Sequence, residues 1–128
     1  MAKYLLIQNY EGGVGCDTPM GAWDPADIRR HIDFQIALDA DLTAAGELLD
    51  SQGVAAPDQA KRVVSDGGDP SVTTGSADRP LLAGYRLVDV ESEDRALEIA
   101  ARASAAPGPA GVPIQQPIEV RQVMSAPA

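Results

Sequence analysis

The stretch Gly84–Ala101, GYRLVDVESEDRALEIAA, constrains the fold of this chain more than any other. Tyr85–Val90 reads as a strand, an apolar-rich run bounded by a glycine and by polar residues. Ser92 follows at an N-cap position, with Glu93 and Asp94 in a first turn whose exposed N–H groups favour negative charge. Ala96, Leu97, Ala100 and Ala101 then recur at helical spacing, and the helix is predicted to end near Ser104. A strand running directly into a capped helix is one half of a strand–helix architecture, and a second such unit opens the chain.

In that first unit Lys3–Gln8, KYLLIQ, is a short apolar strand. Residues 9–23 are Gly-rich and irregular. Asp24-Pro25-Ala26-Asp27 starts a helix, with Asp24 able to cap, Pro25 suited to the first position and Asp27 complementing the dipole. Gly46 is a natural stop after Ala45. Glu47–Val54 is expected to be an extended connection turning at Gln52-Gly53. Lys61–Ser65, KRVVS, is expected to be the second strand and Asp66–Leu82 a long turn or flap. Ala105–Pro117 holds four prolines and is expected to be a linker-like excursion. Ile118–Val123, IEVRQV, alternates apolar and polar residues as the last strand. Residues 1–124 form one expected domain, and 125–128 a frayed tail.

The order β-α-β-β-α-β predicts an α+β, ferredoxin-like subunit, an antiparallel sheet with both helices on one face. Leu5, Ile7, Val63, Leu87, Val88 and Val120 supply apolar side chains on more faces than two helices hide. The open sheet face is therefore expected to be covered by a second copy, giving a homodimer.

Composition narrows the function classes. With 19 acidic against 10 basic residues the net charge is −9. That field repels nucleic acid and anionic membranes, so neither is an expected direct partner. The single cysteine, Cys16, and single histidine, His31, leave no zinc spacing, and no metal or cofactor is expected. No apolar run is long enough to span a membrane, and LLI near the N-terminus is too short for a signal segment, so a cytoplasmic protein is expected.

Several segments together resemble the YCII-related family, in its DGPF-containing branch: KYLLIQ at 3–8, LTAAGELLDSQGV at 42–54, GYRLVDVESEDRALEIAARASAA at 84–106 and IEVRQV at 118–123. The resemblance implies a ferredoxin-like subunit in a dimeric α+β barrel. Thr74-Gly75-Ser76-Ala77 stands where that branch reads Asp-Gly-Pro-Phe. Some YciI-like members are thought to use a His–Asp pair with the histidine on the first helix, where His31 lies; Ala44 and Ala45 stand where their aspartate would precede the glycine.

On a helical wheel His31 falls on the side of Ile28, Ile32, Phe34, Leu38 and Leu42, and Asp33 on the other. Gln35 and Asp39 follow His31 at i+4 and i+8, so the three form a polar row on an apolar face. Polar groups there need hydrogen bonds or water. A pocket between this helix and the sheet would let His31 serve as general acid or base and Asp39 bind or orient a polar group, with Gln35 contacting substrate. The alternative is a structural row satisfied by backbone or water. Trp23 and Tyr85 are the aromatic candidates for ligand contact. The loop EGGVGCDTP at 11–19 lacks the Lys-Ser/Thr ending of a phosphate loop, and nothing beside Cys16 activates a thiol.

Two function classes follow. One is a dimeric ligand-binding or regulatory interaction module with a pocket between the first helix and the sheet. The other is a cofactor-free enzyme, a lyase, dehalogenase-like or isomerase-like protein using His31. Missing Asp-Gly-Pro-Phe and the incomplete His–Asp pair favour the first.

Overall fold

A computed structural model describes residues 1–9, 20–75 and 82–124. The loop at 11–19 with Cys16, the pair Ser76-Ala77 and the tail 125–128 lie outside the described residues. Its strands are β1 (Ala2–Asn9), β2 (Leu48–Gly53), β3 (Lys61–Val64), β4 (Ser71–Thr74), β5 (Leu82–Val90) and β6 (Ile118–Gln122), and its helices α1 (Pro25–Ala44) and α2 (Glu93–Ser104).

Four strands form one antiparallel sheet in the order β2-β5-β1-β6. With two helices this is an α+β architecture compatible with a ferredoxin-like fold. The strand alternation of period 2 divides its faces. Tyr4 and Leu6 of β1 and Arg86, Val88 and Val90 of β5 are buried on one face, packed with Leu38 and Leu42 of α1 and Ala96, Ile99, Ala100 and Ala103 of α2. Leu5, Ile7, Tyr85, Leu87 and Asp89 alternate with them and face the other side. Small alanines on α2 let the helix approach closely, which suits a chain with 4% aromatics.

Two strand assignments need correction. Glu47–Val54 is no mere connection: Leu48–Gly53 is the edge strand β2, paired with β5. Its polar residues Asp50 and Gln52 concealed it, because on an edge strand the outward side needs no apolar residue. Lys61–Val64, expected in the main sheet, instead pairs with Ser71–Thr74 in a separate hairpin. The expected flap at 66–82 thus contains a strand, β4.

The expected linker at 105–117 is a packed loop. Ala106 and Ile114 are buried, Pro107 and Pro113 form an isolated bridge, and the Gly108 amide donates to the Val112 carbonyl at 2.7 Å. Prolines fix the chain direction here without making it mobile.

The helix ends follow local chemistry. Ser92 Oγ accepts from the Arg95 amide at 3.2 Å. Asp24 stands at the N-cap with no side-chain cap bond, and Pro25 follows it. At the other end Gly46 adopts φ +73°. The Glu47 amide reaches the Leu42 carbonyl and the Gly46 amide reaches Thr43, the paired bonds of a Schellman stop. That sharp stop turns the chain into β2. Glu47 then takes a two-point contact from Arg95 of α2, at 2.8 and 2.9 Å, tying the end of α1 to the second helix.

Candidate functional site

The polar row on α1 meets one residue that sequence reasoning missed. Arg86 lies on the buried face of β5 between Gly84 and Val88, with only 5% of its surface exposed. Its Nε donates to Asp39 Oδ1 at 2.7 Å, and its Nη2 donates to Gln35 Oε1 at 2.5 Å. Gln35 Nε2 lies 3.3 Å from His31 Nε2, and His31 Nδ1 lies 3.0 Å from the Pro107 carbonyl oxygen. His31, Gln35 and Asp39 are therefore brought together, with the Arg86 side chain between α1 and the sheet.

The ends of this chain of contacts fix its polarity. A carbonyl only accepts, so His31 Nδ1 carries the proton toward Pro107. A guanidinium only donates, so Gln35 must present Oε1 to Arg86 and its amide nitrogen to His31. In the neutral ring Nε2 is then the acceptor. Donation runs without conflict from Arg86 through Gln35 and His31 to Pro107, while the second arm of Arg86 pairs with Asp39. Both ring nitrogens and one Asp39 oxygen are thus occupied.

Trp23 packs its ring edge-on to His31, with centroids 5.6 Å apart and planes at 83°. It stands just before α1 and fixes the imidazole from the side. Asp27, one turn before His31, pairs with Arg30 at 2.9 Å and accepts from the Ala110 amide at 3.3 Å. The Pro-rich loop is therefore held against α1 at two points, which positions the Pro107 carbonyl.

Tyr85 is not part of this group. Neighbouring strand residues point to opposite faces, so Tyr85 lies on the open face while Arg86 lies under α1. The Tyr85 hydroxyl donates to Asp50 Oδ2 at 2.7 Å, and Asp50 Oδ1 accepts from Gln52 Nε2 and from the Ser51 amide. The Tyr85 hydrogen bond, the largest influence, holds the Asp50 carboxyl below its ordinary value. The same bond raises the Tyr85 phenol.

A signal for Arg86 was present in the sequence. Alternation in Tyr85–Val90 puts Arg86 on the same side as Val88 and Val90, and a lone cation on an apolar face calls for a partner. Nothing in the sequence announced the Pro107 carbonyl, because a backbone acceptor leaves no compositional trace. A concavity of about 400 Å³ opens elsewhere, lined by Val54, Ala55, Ala56, Pro57, Ala60 and Leu82 among others. Among the described residues no cluster of three or more His, Cys, Asp or Glu side chains could hold a metal ion, and no helix is long and apolar enough to cross a membrane. No family model matches the chain, and no curated protein matches it.

Proposed function

We propose that this chain is a homodimeric, non-catalytic binding module of the YCII-related kind, its two copies meeting through the open sheet face as a dimeric α+β barrel. The observation that carries this reading is the closed chain Pro107–His31–Gln35–Arg86–Asp39. A general base needs a free lone pair within reach of substrate. Here the only histidine spends both nitrogens on internal partners, and Asp39, the carboxylate of the row, neutralises a buried cation. The row acts as a brace between α1, the sheet and the Pro-rich loop.

Binding then falls to the open face. Leu5, Ile7 and Leu87 form its apolar centre, and Tyr85 with Asp50 forms a polar edge whose carboxylate accepts further donors. That combination suits a small molecule with an apolar body and a hydroxyl or amine.

The enzyme reading keeps one observation in its favour. At 3.3 Å the Gln35–His31 contact is long for a hydrogen bond, so Nε2 is the nitrogen a substrate would compete for. His31→Gln separates the two. The binding module keeps its dimer and its ligand affinity in that variant, measured by sedimentation and by thermal-shift screening of small hydroxylated and amine compounds. Loss of a ligand-dependent turnover in the same variant would support the enzyme.

A further inference from the structure

The β3–β4 hairpin is well formed yet uncovered. Lys61 Nζ donates to Thr74 Oγ1 at 2.9 Å, the Gly75 amide donates to the Ala60 carbonyl at 2.8 Å, and the turn is tied by Ser65 and Asp66 to the Gly67 and Gly68 amides. Every strand residue is nevertheless exposed, including Val63 at 61%, Val64 at 67% and Val72 at 57%. Val63 and Val72 face each other across the ladder, so one side of the hairpin presents a paired apolar surface. A lone two-stranded hairpin is marginal in water and needs a third layer.

From this we infer that the hairpin is an arm that packs against the same arm of a second copy, the two running in opposite directions about a two-fold axis. Two features select a second copy. First, opposed arms place each tip, with Asp66 and Asp69, at its partner's root, where Lys61 lines a concavity together with Gln59 and Ala60. Acid and cation thus lie at opposite ends of one arm, the self-complementarity a two-fold contact demands. Second, the arm's strands bear Lys61 and Arg62 and no carboxylate, the two acids Asp66 and Asp69 lying in the turn, while the whole chain carries −9. The arm is where two acidic copies approach with least repulsion, Lys61 and Arg62 of each meeting the Asp66 and Asp69 turn of the other.

This inference rests on the homodimer reading, and the experiment separates the two. Sedimentation equilibrium is run on the intact chain and on Val63→Ser/Val72→Ser, two surface changes that leave the core untouched, with circular dichroism to check folding. Four lost valines per dimer raise the dimer Kd by about a hundredfold. In a Cys16→Ser background, Asp66→Cys protein at the tip mixed with Pro57→Cys protein at the root yields a disulfide-linked dimer. A folded valine variant that dimerises as tightly as the wild type, with no cross-link in the mixture, overturns the arm alone. A wild type that stays monomeric at every reachable concentration overturns the homodimer reading and the arm with it.

Discussion

Removing Asp39 should cost more than removing its partner Arg86, because the two ends of the ion pair differ in exposure. The Arg86 side chain is 6% exposed and the Asp39 side chain 31%. Asp39→Ala strands a buried guanidinium with Gln35 as its remaining side-chain partner. Breaking such a pair from the exposed end leaves uncompensated buried charge, a loss of about 3 kcal/mol. Arg86→Met fills similar space with an apolar side chain and leaves a carboxylate that water can reach, so the loss falls to about 1–2 kcal/mol. In a domain of this size the first change lowers Tm by about 10 °C and the second by about half that. The double variant should be closer to Arg86→Met than to the sum of the singles, giving a coupling of about 1–3 kcal/mol. Urea unfolding of all four proteins closes the cycle. Equal losses that add without coupling, or a larger loss for Arg86→Met, would refute the brace.

Further predictions follow from other contacts. Ser92→Ala removes the bond to the Arg95 amide and should lower stability by about 1 kcal/mol in urea unfolding. Gly84→Ala would put a Cβ 2.8 Å from the Gln52 carbonyl oxygen, so β2 must shift; a loss of about 1–3 kcal/mol is expected, and an unchanged Tm would show that the edge strand yields freely. Glu47 is held below its ordinary value of 4.5 by the Arg95 hydrogen bonds, and Asp50 below 3.8 by Tyr85. Both folded values are depressed, so their stabilisation is present above the ordinary values and lost as pH falls through the lowered ones. Acid titration of stability should show that loss, and Arg95→Met should remove the Glu47 share. Tyr85→Phe should return the Asp50 carboxyl toward 3.8, read by carbon NMR of the side-chain carboxyl.

The strand-to-helix unit at 84–101 was legible because local signals agreed: a period-2 strand, a serine cap and an acidic first turn before a helical repeat. The α1 stop at Gly46 was legible for the same reason, since a left-handed residue there favours glycine. What escaped was pairing. Nothing local distinguishes Lys61–Val64, which pairs within its own hairpin, from a strand of the main sheet. Leu48–Gly53 hid because an edge strand needs only a single apolar side. At the site, helical geometry grouped His31, Gln35 and Asp39. Their common partner came from a distant strand, and the acceptor for His31 from a loop carbonyl. The wheel also set Ile32 toward the core, yet it is 44% exposed, because α1 meets the sheet through the narrower stripe of Leu38 and Leu42.

The brace is tested most directly by the protonation pattern of its imidazole. The chain has one histidine, so a long-range nitrogen–proton NMR spectrum at mildly alkaline pH contains a single ring. The account predicts the Nδ1–H tautomer, its proton held by the Pro107 carbonyl, and a shift toward a mixture of tautomers when Arg86→Met frees the Gln35 amide to rotate. A wild-type ring in the Nε2–H form, or one averaging freely between both, would contradict it.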